Sequence, residues 1–154
     1  MAARSAMIGL FLLLTFPACA LAKDITGLAS RIVDGDTLYV CNETVCEKIR
    51  LCGIDAPERK DAMGKAATNA LKGIAGDKEI RCVRVGEGSV CDGRSRPTSR
   101  DRIVAQCFLG KADIAGLMIR KGYACDWQKF SGGYYRKFEH SDTCAPDLGI
   151  STED

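Results

Sequence analysis

The chain has 154 residues, enough for one domain and not for two. Its 22 basic and 20 acidic residues give a net charge of +2, so global charge does not argue for a polyanion as partner. A single histidine, His140, and the lack of any Cys-x-x-Cys pair argue against a zinc site.

Residues 1–22 read as a secretory signal peptide. Arg4 is the charged start, residues 7–16 the apolar core, and Ala20-Leu21-Ala22 the cleavage site. The apolar run is too short for a membrane span. A lipid tether on Cys19 is the rival reading, but Phe16-Pro17-Ala18 is a poor approach to it. Cleavage near Ala22 leaves 21 basic against 20 acidic residues and eight of the nine cysteines. An even cysteine number in an exported chain predicts disulfides. Cys41 and Cys46 flank a predicted hairpin turn, and Cys82 and Cys107 lie on strands expected to be neighbours, so these two pairs are expected. Cys52, Cys91, Cys125 and Cys144 stay unassigned.

Residues 32–40 are rich in branched and aromatic side chains and predict a strand interrupted at Asp34-Gly35-Asp36. Asn42-Glu43-Thr44 is the turn. Residues 47–54 are the returning strand, whose alternation puts Ile49 and Leu51 on one face and Arg50 on the other. Pro57 opens a loop. Ala67, Ala70, Leu71 and Ile74 then follow helical spacing up to Gly76. Residues 79–85 predict a strand, 86–99 a long loop, and 102–109 another strand. A helix follows with Ile114, Leu117 and Met118 inward, closed at Gly122. Ser131-Gly132-Gly133 reads as a joint before one or two helical turns in 134–139.

The chemistry gathers in two clusters, Asp34-Gly35-Asp36-Thr37 and Asp55-Ala56-Pro57-Glu58, with Arg50 between them and Arg102 on a later strand. Taken alone, the first cluster is a turn sequence, Glu58 an acid near a helix start, and the arginines surface ion-pair partners. Taken together they suggest more. Neighbouring carboxylates repel unless a hard cation sits between them, and oxygen ligands suit Ca²⁺ or Mg²⁺. Two arginines beside such a cation would clamp a phosphate through forked hydrogen bonds. A remaining carboxylate can serve as base, which suggests phosphodiester hydrolysis. Arg94, Arg96, Arg100 and Arg102 form a local basic run, read as a lead-in for a polyanion.

In order and in spacing, residues 32–38, 49–58 and 100–105, with a helix ending in Gly122-Tyr123-Ala124, resemble the staphylococcal nuclease (thermonuclease-like) family. The resemblance spans about residues 25–130. It implies an α+β fold: a five-stranded OB-fold barrel with two to three packed helices, here disulfide-stabilised. The domain would occupy 23–130, and 131–154 would be a C-terminal extension packed on it or trailing from it.

The resemblance also implies an exported nuclease cutting DNA and/or RNA, with Ca²⁺ as cofactor and Mg²⁺ or Mn²⁺ as alternatives. Arg50, Glu58 and Arg102 would be catalytic, Glu58 as general base and the arginines on the phosphate. Asp36 and Asp55 would hold the metal with the Ala56 backbone carbonyl, and Asp34 and Thr37 would support them. Arg100 and Trp127 would contact substrate. Where the family commonly has Tyr-Gly-Arg, this chain has Arg100-Asp101-Arg102. The alternatives are a non-catalytic module binding nucleic acid or protein, or an accessory role in envelope or exopolysaccharide processing. The localisation expected is secreted or periplasmic, with no membrane span and no obligate protein partner.

Overall fold

The computed structural model describes residues 24–140 and Cys144. The expected signal peptide, Cys19 and the rest of the tail lie outside the described residues. In chain order come β1 (Ile25–Ile32), β2 (Thr37–Cys41), β3 (Cys46–Leu51), β4 (Ile54–Asp55), α1 (Gly64–Ala75) and β5 (Glu79–Arg84). Then follow β6 (Thr98–Ser99), β7 (Arg102–Leu109), β8 (Ala112–Asp113), α2 (Ile114–Arg120), β9 (Cys125–Asp126), α3 (Gln128–Ser131) and a 3-10 turn at Arg136–Phe138. The five long strands run β3-β2-β1-β5-β7 with antiparallel neighbours, and a parallel pairing of β3 with β7 closes the ring. The class is α+β, an OB-like closed barrel.

One strand expectation is corrected. Residues 32–40 are not a single interrupted strand: the chain reverses at 33–36, so Ile32 ends β1 and pairs with Leu38 of β2. The amides of Val33 and Asp34 both donate to the Thr37 carbonyl, at 2.8 and 3.3 Å, which closes the turn. Alternation holds on either side of such a reversal, so the pattern alone does not reveal it.

Alternating strand positions fill the barrel: Leu38 and Val40, Ile49 and Leu51, Ile80 and Cys82, Ala105 and Cys107 are all buried. Each buried Leu or Ile stabilises by roughly 1.5–3 kcal/mol. Because Ile49 and Leu51 point inward, Arg50 must point out of the barrel, as its phase predicted. Helix α1 covers one end with Ala67, Leu71, Ile74 and Ala75. Helix α2 adds Ile114, Ala115, Met118 and Ile119, and Leu117 is only half-buried. The Asp113 side chain caps α2 by accepting from the Ala115 and Gly116 amides at 3.0 and 3.3 Å.

All eight described cysteines pair: Cys41–Cys46, Cys52–Cys91, Cys82–Cys107 and Cys125–Cys144. The segment after 130 packs on the barrel over its described length. Tyr135 is fully buried and its hydroxyl donates to Asp113 at 2.9 Å. Burial, then the nearby Asp113 carboxylate, pushes the Tyr135 phenol up, so it stays a donor. Among the described residues no helix is long and apolar enough to cross a membrane.

Candidate active site

Outside the barrel, at the seam where β3 meets β7, the two predicted arginines come together. Arg50 pairs with Val104 in the parallel register and Ile49 with Ile103, so Arg50 and Arg102 lie on one face, one diagonal step apart. Thr37 sits opposite Arg50 on β2. Its hydroxyl donates to Asp36 Oδ1 at 2.9 Å and accepts from Arg102 Nη1 at 3.1 Å. Asp36 also forms an ion pair with Arg50 Nη1, and both side chains are largely buried, at 14% and 5% exposure. One continuous network thus runs Arg50–Asp36–Thr37–Arg102.

The second cluster reaches this network through backbone geometry. A turn at Cys52-Gly53 leads into β4, whose Ile54 stays in the core and which pairs with β9, Asp55 opposite Cys125. The Trp127 amide donates to the Gly53 carbonyl at 2.9 Å and secures the same turn. Asp55 Oδ1 then lies 3.7 Å from Arg50 Nη2, which also donates to the Ile54 carbonyl at 3.2 Å. Gly35 lets the first cluster settle on the second. A methyl there would stand 2.7 Å from Ala56 Cβ and 2.8 Å from Ala67 Cβ. Both distances are too short for a side chain, so glycine sets the approach.

Glu58 is exposed and lines the same cleft. Its backbone is fixed although its carboxylate is free to reach. The Glu58 amide donates to Asp61 Oδ2 and its carbonyl accepts from the Asp61 amide, both at 2.8 Å. Gly64 packs beneath this loop, where a methyl would overlap the Glu58 carbonyl.

Arg102 is steadied from β6. Its Nε donates to the Ser99 carbonyl at 3.4 Å and its Nη2 to the Ser99 hydroxyl at 3.3 Å. Between Ser99 and Arg102 the turn residue Arg100 takes φ 57°, the left-handed region, which leaves its side chain exposed at the rim. Asp101 forms its ion pair with Lys48, at 2.7 Å, rather than with either arginine, and that hydrogen bond holds its carboxyl below the ordinary value.

The electrostatics follow from burial. Desolvation, then the neighbouring Arg102 charge, pushes Arg50 down to about 10, so it remains a cation at neutral pH. Desolvation pushes the Asp55 carboxyl up, against the pull of Arg50. A half-buried carboxylate disfavoured in this way gains from a second positive charge nearby. The donor chemistry fits a hard divalent cation: carboxylate oxygens of Asp36 and Asp55 both lie against the Arg50 guanidinium, one at Nη1 and the other at Nη2. Among the described residues the one three-membered cluster of potential ligand atoms is Cys125, Glu139 and Cys144, and its two sulfurs are bonded to each other. A cation in the cleft would therefore rest on two carboxylates, with backbone carbonyl oxygens or solvent completing its shell.

The cleft encloses about 730 Å³. Besides Arg50, Arg102, Asp55 and Glu58, its walls carry Asp34, Arg94, Arg96, Arg100, Trp127, Lys129 and Phe130. Asp34 Oδ1 accepts from the Asp36 amide at 3.1 Å, which shapes the turn, and its charge also acts on Arg50. The Trp127 ring stands 5.8 Å from the Arg50 guanidinium and packs edge-to-face with Phe130 at 4.6 Å. Sequence reading missed Ser99, Asp61 and Gly64. Only the Pro57-to-Gly64 loop composition hinted at the last two, and nothing local marks Ser99.

A closed OB-like barrel with carboxylates and guanidiniums at the seam of two strands defines the class. The sequence profile described as staphylococcal nuclease homologue matches residues 48–147, and the chain belongs to that family. An uncharacterized endonuclease of Haemophilus influenzae is 29% identical over 117 residues, 74% of this chain and 58% of its own length. An uncharacterized endonuclease of Escherichia coli O157:H7 is 38% identical over 60 residues, 39% of each chain. Protein ParB of Escherichia coli is 41% identical over 51 residues, 33% of this chain and 29% of its own length. The chain thus spans between about three-tenths and three-fifths of these relatives.

Proposed function

We propose that the protein is an exported, divalent-cation-dependent nuclease that hydrolyses phosphodiester bonds of DNA and/or RNA. The observation that carries this reading is the network Arg50–Asp36–Thr37–Arg102, whose two arginines line one cleft with Asp55 and Glu58. Membership of the family and the endonuclease names of two relatives support it. Four disulfides support an oxidising compartment, secreted or periplasmic.

In this mechanism Arg50 and Arg102 hold the nonbridging phosphoryl oxygens by N–H donors fixed before the reaction begins. Charge grows on those oxygens in the transition state, so preset donors stabilise it more than they stabilise the bound substrate. The 3.7 Å contact between Arg50 Nη2 and Asp55 is the loosest of the Arg50 contacts and the one a phosphate would displace. Glu58 takes the proton of the attacking water while the new P–O bond forms and the ester P–O bond breaks, and the leaving ester oxygen takes up a proton from solvent. Asp36, Asp55 and the Ala56 carbonyl would hold the cation, Ca²⁺ first and Mg²⁺ or Mn²⁺ as alternatives, which when bound neutralises phosphoryl charge. Thr37 keeps Asp36 and Arg102 in register, Asp34 supports the turn, and Arg100 and Trp127 contact the rest of the substrate.

The test incubates the oxidised protein with single-stranded DNA in Ca²⁺, in Mg²⁺ and in chelator. Cleavage that needs the cation supports the reading. Binding without cleavage under every condition would make the protein a nucleic-acid-binding module instead.

A further inference from the structure

The loop at 86–97 is longer than a strand connection needs, yet it is tightly built. Asp92 accepts from the Gly86 amide at 2.7 Å, the Gly88 amide at 2.8 Å and the Ser89 hydroxyl at 2.6 Å. The Val90 amide donates to Gln106 on β7 at 3.1 Å. Cys91 is bonded to Cys52, two residues beyond Arg50, and the pair forms a small apolar cluster with Val85 and Val104, distinct from the barrel core. From this staple, the Arg94 and Ser95 amides donate to the Cys91 carbonyl at 3.1 and 3.0 Å and turn the chain toward the cleft.

The loop delivers Arg94 and Arg96 to the cleft wall, both exposed. Arg94 lies against Gly132, where a methyl would overlap its guanidinium. Among the described residues no carboxylate pairs with either arginine. Two arginines of β5 do find carboxylates, Arg81 with Asp24 at 2.8 Å and Arg84 with Glu47 at 3.0 Å, whereas Arg31 on β1 meets only the Tyr39 ring among the described residues. Two uncompensated cations on a crosslinked loop beside a phosphate clamp have a simple complement, a second phosphate. The ordering entropy that binding to a slack loop would demand is already lost on folding.

We infer that Arg94 and Arg96 form a second phosphate subsite, which takes a neighbouring phosphate of a single-stranded polynucleotide while Arg50 and Arg102 hold the one to be cut. The choice of a polynucleotide rests on the nuclease reading of the cleft. Trp127 and Phe130 on the same cleft offer faces for unstacked bases, which selects single strands. A substrate with only one phosphate cannot use this subsite, so the loop biases the protein toward chains over mononucleotide esters.

The test measures binding in protein carrying Glu58→Gln, so that no turnover intrudes, using a fluorescent 12-nucleotide single-stranded DNA across a salt series. Adding Arg94→Ala and Arg96→Ala is expected to weaken binding about 10- to 30-fold near 0.1 M salt. It should also flatten the log–log salt slope by about 1.4, the share of two phosphate contacts on a single strand. Lys111→Ala with Lys121→Ala, two exposed cations outside the cleft, removes the same charge and should change neither. Affinity within twofold of the parent in the arginine variant, or an equal loss in the lysine variant, overturns the subsite. A polyuronate bound as tightly, with the same dependence on both arginines, overturns its assignment to nucleic acid. If wild-type protein fails to cut the same DNA while binding still depends on Arg94 and Arg96, the nuclease reading falls and the subsite stands.

Discussion

Arg50 and Arg102 sit partly buried on β3 and β7 with their nitrogens engaged, whereas Arg94, Arg96 and Arg100 stand exposed with no carboxylate paired to them among the described residues. All five line one cleft, yet they are built for different work. A guanidinium fixed in a partly desolvated network acts at one point, where a small change in charge is strongly felt. An exposed guanidinium is screened within a Debye length of about 10 Å at 0.1 M salt, so it contributes affinity for a polyanion rather than rate. The clamp should therefore govern kcat and the loop should govern substrate binding and its salt dependence.

The largest break in this comparison is Arg50→Ala. Turnover of single-stranded DNA should fall about 10²–10³-fold, as for loss of other transition-state donors. Asp36 would also be left buried without its cation, so stability should drop by about 3–5 kcal/mol in denaturant titrations. Arg50→Lys sharpens the point: it restores the charge but not the fork, so it should recover stability further than kcat. An Arg50→Ala protein that keeps kcat and loses only salt-dependent affinity would make the two arginine sets equivalent.

Cys52→Ala with Cys91→Ala strikes the other set. Opening a crosslink of sequence separation 39 should cost about 4 kcal/mol by chain entropy, measured as a lower unfolding midpoint. Where the folded protein persists, oligonucleotide affinity should move toward that of the Arg94 and Arg96 variant, with kcat at saturation less affected. Affinity unchanged by loss of the staple would mean that the loop needs no preorganisation.

The smallest effect concerns the loop's own anchor. Burial pushes the Asp92 carboxyl up, but hydrogen bonds from Ser89 and from the Gly86 and Gly88 amides outweigh it, so it titrates below its ordinary value of 3.8. Its folded value thus lies below its unfolded one, and the stability it contributes is complete above about pH 4 and lost as pH falls through the folded value. The stability gap between wild type and Asp92→Asn should close on that acid side alone. A gap that instead closed as pH rose from 5 to 8 would contradict the assigned hydrogen bonds.

Local pattern carried much of the fold. The alternation that buries Ile49 and Leu51 also aims Arg50 outward, and the helical spacing of Ala67, Leu71 and Ile74 marks α1 up to Gly76. The Cys41–Cys46 pair spans a hairpin, and Cys82 lies directly opposite Cys107 on neighbouring strands, so both were within reach of sequence reasoning. What escaped it was non-local. Nothing near Cys52 points to Cys91, because their meeting depends on the parallel closure of β3 onto β7 and on the loop folding back. The reversal at 33–36 was visible as a break but not as a change of direction. Asp36 and Asp55, the acids proposed to hold a cation, stood out in the sequence, whereas the supports of the site did not: Ser99 beneath Arg102, the Asp61 brace of Glu58, and the β4–β9 pairing that carries Asp55. Each is an ordinary residue whose role comes only from a distant partner.

The most direct test of the central claim is single-turnover cleavage of single-stranded DNA in Ca²⁺ by wild-type and Glu58→Ala protein, with oligonucleotide binding measured alongside. Glu58 faces the cleft from a braced loop and makes no hydrogen bond or ion pair with the clamp network, so its loss should lower the cleavage rate about 10²–10⁴-fold while binding holds within severalfold. A Glu58→Ala protein that binds and cuts as fast as wild type would contradict the account.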